Sequence, residues 1–193
     1  MTDNLATRVL RVSLNDVEPE IWRVIEVADP GTLGDLHGAL IGAMGWEDSH
    51  LHSFMVGEET YSTVYETLEP LGDDEDNITV AEALPEVGSS IQWMYDWGDG
   101  WEHTITVEDT GAMQPGVTYP VLYDGARACP PEDCGGAYIY MEILHMLDDP
   151  SYRPEVVDRD EIMNWLDPDF DPDVFHAKRA QWHMRNPGPK APW

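Results

Sequence analysis

Tyr95-Asp96-Trp97-Gly98-Asp99-Gly100-Trp101-Glu102-His103 is the stretch on which the fold turns. Ser90 to Asp96 and Trp101 to Val107 read as two strands, and Trp97-Gly98-Asp99-Gly100 is the turn that pairs them as a hairpin. Side chains alternate along a strand, so Trp101, His103, Ile105 and Val107 share one face and Glu102, Thr104 and Thr106 the other. His103 therefore lies on the apolar face. Asp96 and Asp99 flank the turn, within reach of the Trp101 end of that face. A carboxylate beside an inward imidazole is how histidine is oriented for acid–base work or metal ligation. The plainer role is a core histidine bonded to a carboxylate, with Asp99 only shaping the turn.

Upstream, Ala6 to Leu14 and Ile21 to Val27 alternate apolar and polar positions and form a second hairpin around Asn15-Asp16. Pro30-Gly31 stops it. Thr32, with Asp35 three positions on, starts a helix in which Leu33, Leu36, His37, Leu40 and Met44 form the apolar stripe, ending near Gly45. A strand is expected to begin near His50, placing His50, His52, Phe54 and Val56 on one face. Two histidines at that spacing form a chelating or substrate-gripping pair, unless one is buried and the other sits at an exposed strand end. Residues 58–76 read as an acidic surface excursion, and Thr79 to Leu84 as a short helix.

Downstream, 109–116 reads as a loop and Tyr119 to Tyr123 as a short strand. Asp124-Gly125-Ala126-Arg127-Ala128-Cys129-Pro130-Pro131-Glu132-Asp133-Cys134-Gly135-Gly136 follows: two prolines fix the backbone and a glycine pair permits close approach. Such a segment suits a site wall, with Arg127 and Glu132 as its polar groups. Cys129 and Cys134 offer two thiolates, half of a zinc set, or act as small buried hydrophobes in a structural loop. From Ala137 the pattern is helical through Leu147. A second helix is expected over Val156 to Leu166, then a turn over Asp167 to Pro172, and a last helix capped by Asp173 and carrying Val174, Phe175 and Trp182.

The chain has 193 residues and a formal charge of −28, from 38 acidic against 10 basic side chains, with Lys178 and Lys190 the only lysines. Binding to a nucleic-acid backbone or an anionic membrane is disfavoured, because both need clustered cations. An acidic surface suits salt adaptation, solubility, a basic protein partner or mimicry of nucleic-acid charge. No apolar run spans a membrane and the first residues carry no signal-peptide pattern, so the expected location is cytoplasmic, with both cysteines as thiols.

The ordered blocks Val17-Glu18-Pro19-Glu20-Ile21-Trp22-Arg23, Thr32 to His37, Met44-Gly45-Trp46 with His50 to Phe54, Tyr95 to His103, and Cys129 to Gly136 resemble the plasmid pRiA4b ORF-three family. Members are also labelled insertion-element passenger proteins of TnpR type, a label that reflects transposon neighbourhood and not resolvase chemistry. The resemblance covers roughly residues 5–175. Trp97 stands where members usually carry phenylalanine. The resemblance implies an α+β fold: a roll-like mixed or antiparallel sheet with one packed N-terminal helix and a helical C-terminal portion. It implies no reaction. One domain is expected over residues 1–185, sheet-rich over 5–123 and helical over 137–185, with a disordered tail over 186–193.

The functional expectation is that the histidine strand, the hairpin and the cysteine loop converge on one pocket for a small ligand or a metal. In it His103, Asp96, Asp99 and Glu132 would be the catalytic or orienting groups, and Trp101, Arg127 and Tyr95 would hold ligand. His50, His52, His103, Cys129 and Cys134 would be candidate ligands for a divalent metal such as zinc. With such a metal, a metal-dependent hydrolase is the simplest enzyme. The partner expected is a small molecule or a protein; an acidic protein-interaction or nucleic-acid-mimic protein acting through surface charge needs no pocket.

Overall fold

The computed structural model describes residues 6–64, 69 and 71–186. The expected tail falls almost entirely outside them. Strand β1 (Ala6–Leu14) pairs antiparallel with β2 (Trp22–Ala28). Helix α1 (Leu33–Met44) follows, started by a reciprocal box in which the Asp35 amide donates to Thr32 Oγ1 and the Thr32 amide to the Asp35 carboxylate. Gly45 ends it in the left-handed region at φ 97°.

Strands β3 (His52–Val56) and β4 (Glu59–Ser62) form a hairpin, and two-residue β5 (Asp73–Asp74) adds in parallel at the edge. The short helix α2 (Val80–Ala83) leads into β6 (Ser90–Tyr95) and β7 (Trp101–Ala112), and β8 (Val121–Ala126) closes the sheet. Helices α3 (Gly136–Asp148), α4 (Arg159–Trp165) and α5 (Ala177–Arg185) complete the chain. The strand order is β5-β4-β3-β6-β7-β1-β2-β8, antiparallel except at β4–β5. This is the α+β mixed sheet that the family resemblance implied.

Register explains the core. Tyr95 faces Trp101, Trp93 faces His103 and Ile91 faces Ile105 across β6–β7, while Leu14, Val12 and Leu10 continue the same layer on β1. All of them are buried, whereas Gln92 and Glu102 on the opposite face are exposed. The layer is covered by the stripe Leu33, Leu36, Leu40 and Met44 of α1. Helix α5 crosses α1 at Gly42, where an added Cβ would stand 2.4 Å from the Met184 backbone nitrogen. Glycine is required there for the two backbones to approach.

Several boundaries differ from the sequence expectation. Strand β7 runs on to Ala112 because its backbone pairs with β1 as far as Ala6, although residues 108–112 are exposed and carry no apolar period. Residues 58–76 contribute the edge strands β4 and β5. Strand β8 begins at Val121 and continues to Ala126. Asp158 accepts from Asp160 and Glu161 and so starts α4 later than expected. Asp173 does not cap α5; its carboxylate pairs with Arg127, His176 occupies the cap position, Val174 and Phe175 precede the helix, and Trp182 is 42% exposed.

Candidate functional site

The site grows from the turn of the β6–β7 hairpin. Asp96 adopts φ 56°, its Oδ1 accepts from the Gly98 amide at 2.8 Å, and its carbonyl accepts from the Gly100 amide at 2.6 Å. One carboxylate oxygen thus shapes the turn. The other, Oδ2, faces His50 Nδ1 at 3.5 Å, and His50 Nε2 faces Asp133 Oδ1 at 3.3 Å. Ligand atoms of His50, Asp96 and Asp133 lie within 4.8 Å of one another, the only such group of three or more among the described residues.

The loop 129–134 is stapled to this end of the sheet. Glu132 accepts from the Tyr95 hydroxyl at 2.8 Å, the Glu47 amide at 2.8 Å and the Ser49 hydroxyl at 3.1 Å. Trp46 Nε1 donates to the Pro130 carbonyl at 3.0 Å, and the Gly135 amide to Asp99 Oδ2 at 3.1 Å. Burial, and then the Glu132 carboxylate, push the Tyr95 hydroxyl above its ordinary pKa, so it stays a donor.

Behind the loop lies a cavity of about 840 Å³, walled by the end of α1, residues 128–133, and the segment from Trp165 to His183. Trp46, Trp165, Phe170 and Phe175 supply aromatic surface, and six carboxylate residues against two arginines set its charge. Glu132 and Asp133 belong to both the cavity wall and the cluster around His50.

The structure therefore brings together His50, Tyr95, Asp96 and Glu132, adds Asp133, and uses Asp99 as an anchor of the loop. Cys129 lines the cavity. The other expected site residues are elsewhere. His50 precedes β3, so it does not share a strand face with His52. His52 is buried, its Nε2 donates to Glu75 Oε2 at 2.7 Å, and its ring stacks on His37 at 3.3 Å.

His103 is fully buried between Trp46 and Trp93. Its Nδ1 meets the carbonyls of Trp93 at 3.3 Å and Trp101 at 3.1 Å, not a carboxylate. Desolvation pushes its pKa down to about 3, so it is a neutral core imidazole at physiological pH. Trp101 is buried against Tyr140 rather than walling a pocket. Cys134 is buried, with burial and then Asp99 pushing its thiol up to about 12, and Arg127 is engaged by Asp173.

Two groups of site residues escaped the sequence reading. Asp133 lies in the loop 129–134, and only the fold pairs it with His50. The cavity wall from Trp165 to His183 belongs to a segment whose pattern reads as two helices and the turn between them.

A family model described as "Plasmid pRiA4b ORF-3-like protein" matches residues 6–179. The chain belongs to this family. An uncharacterized protein, y4hQ, of Sinorhizobium fredii is 35% identical over 145 residues, 75% of this chain and 74% of the relative. The crystal structure of a protein of unknown function, MM3350, from Methanosarcina mazei is similar at a TM-score of 0.78 and 31% identity, covering 90% of this chain and 97% of that one. The pRiA4b ORF-3-like assignment thus fixes fold and ancestry and carries no reaction with it. Among the described residues no helix is long and apolar enough to cross a membrane.

Proposed function

We propose that this pRiA4b ORF-3-like protein is a ligand-binding domain whose cavity takes a small organic cation. The observation that carries this reading is the composition of the wall: aromatic faces beside an excess of carboxylates, in a cavity of about 840 Å³. Aromatic faces attract cations by roughly 0.5–2 kcal/mol each, more as water is excluded. Asp167, Asp169 and Asp171 add long-range attraction, and the chain's charge of −28 favours the encounter of a cation. An anionic ligand would meet repulsion from the same wall.

Calorimetric titration with choline tests it. One-to-one saturable binding is expected, weakened at least tenfold by Trp165→Ala or Asp169→Asn and unchanged by Glu58→Gln with Glu59→Gln on the β3–β4 turn. Equal weakening by the β3–β4 pair would reduce the effect to overall charge, and absence of binding sinks the reading.

A second reading is supported by the geometry around His50. One imidazole and two carboxylates within 4.8 Å suit a divalent cation such as zinc, completed by water. Metal-dependent hydrolysis would then rest on that ion, because His103 is sealed away and neutral. Elemental analysis of protein purified without chelator decides it: a stoichiometric transition metal that His50→Ala removes supports the reading, and none in the parent protein ends it.

A further inference from the structure

Arg23 carries a full charge at 1% exposure. Its Nε donates to the Ala43 carbonyl at 2.9 Å, one terminal nitrogen to Trp22 and Ala126 at 2.7 and 2.8 Å, and the other to Arg127 at 3.0 Å. The guanidinium also lies 3.9 Å over the Phe175 ring. Carbonyls satisfy its N–H groups without offsetting its charge. Among the described residues no carboxylate pairs with it, and burying an ion without a counter-charge is unfavourable.

Its remaining N–H points at Cys129 Sγ, 4.0 Å away. Cys129 is in no disulfide and lines the cavity, held by Pro130 on one side. The neighbouring hydroxyl of Tyr140, on α3, is fully buried, within electrostatic reach of this sulfur, and without a hydrogen-bond partner among the described residues. A buried cation lacking an anion thus points at the sulfur, and a buried hydroxyl lacking an acceptor lies within its electrostatic reach.

We propose that Cys129 is a thiolate paired with Arg23, and that it is a site of S-thiolation by a small disulfide entering the cavity. The thiolate attacks one sulfur of the disulfide; a new S–S bond joins it to Cys129, the old S–S bond breaks, and the other half leaves as a thiolate. The disulfide is the oxidant, so no further co-reactant is needed. Of the charges that oppose the thiolate, Glu132 holds three donors, Asp133 faces His50 and Asp173 pairs with Arg127, while Glu47, Asp167, Asp169 and Asp171 line the same cavity and are outweighed only by the Arg23 guanidinium directed at the sulfur. His176, Arg179 and His183 line the opposite wall. Cys134, buried beside Asp99, is the internal control.

The test is alkylation of the wild-type protein by iodoacetamide across a pH series, followed by peptide mass spectrometry. The neutral reagent is indifferent to the protein's charge. Cys129 should titrate with a midpoint below about 7.5, against about 8.5 for an ordinary thiol, while Cys134 stays unmodified. Arg23→Met should return the midpoint toward the ordinary value; where that variant fails to fold, the wild-type profile alone decides. Cystamine should then add one reducible adduct at Cys129. A midpoint at or above the ordinary value overturns the thiolate, and failure to form the adduct overturns the modification site. Neither readout depends on choline binding.

Discussion

The imidazoles of His37 and His52 stack 3.3 Å apart and 5° from parallel, each held by its own carboxylate, Asp48 at 2.9 Å and Glu75 at 2.7 Å. The pair joins α1 to β3 inside the protein, and its polar contacts are directed at each other's surroundings rather than at the cavity. Glu75 is itself buried and also accepts from Thr63 at 2.7 Å. Glu75→Gln should therefore destabilise the fold by about 1–3 kcal/mol, the cost of disturbing a buried hydrogen-bond network, and leave choline and metal binding intact. Urea denaturation with parallel titrations checks it; loss of ligand binding in a stable variant would return His52 to the site.

Acid should weaken the protein through His103. Its pKa is about 3 in the fold, while the unfolded chain carries an ordinary histidine near pKa 6.5. Below about pH 6.5 the unfolded state binds the extra proton, so stability falls as pH falls, by up to about 1.4 kcal/mol per pH unit from this one group. Burial lowers His37 in the same sense. Urea midpoints measured from about pH 8 to about pH 5 should decline most below about pH 6.5. His103→Ala should lower stability by about 2–4 kcal/mol through the void it leaves and flatten that decline.

At the crossing of α1 and α5, Gly42→Ala should force the two helices apart. The cost expected of such overpacking is about 1–3 kcal/mol. Because Ala180 and His183 of α5 line the cavity, choline affinity should fall with it. Thermal denaturation and calorimetry of one variant test both; unchanged stability would mean that the helices slide freely.

The carboxylate of Asp96 serves a turn and a cluster at once, and Asn can serve the turn alone. Asp96→Asn should retain the Gly98 contact and the positive φ, leaving stability within about 1 kcal/mol, while weakening zinc binding at least tenfold. Equilibrium dialysis against zinc, with His50→Ala in parallel, reads the difference. Identical affinity in parent and variant places the ion elsewhere.

What the sequence made legible was whatever its local pattern controls. The Trp101 to Val107 alternation placed His103 inward, and the Thr32–Asp35 spacing located the start of α1, because period and capping act over a few residues. The site was only half legible. Tyr95, Asp96 and Glu132 meet as a polar group, but His52 looked equivalent to His50 until the chain before β3 removed His50 from the strand. Asp133 and the wall from Trp165 to His183 depend on contacts between segments far apart in sequence, for which no local signal exists. Arg23 shares the strand face of Ile21 and Ile25, so the period itself places it inward, and only the carbonyls arriving from 126–127 show how a guanidinium is satisfied there.

The strand order has a temporal meaning. Strands β1–β2 and β3–β4–β5 are all made before residue 75, yet in the sheet they stand apart, joined only by β6 and β7. A chain growing from its N-terminus must hold two separate sheet fragments with exposed edges until Ser90 to Ala112 emerges and is inserted between them. The hairpin that shapes the site is thus also the keystone of assembly, and errors at Gly98 or Gly100 would be felt first in yield of folded protein and only then in what it binds.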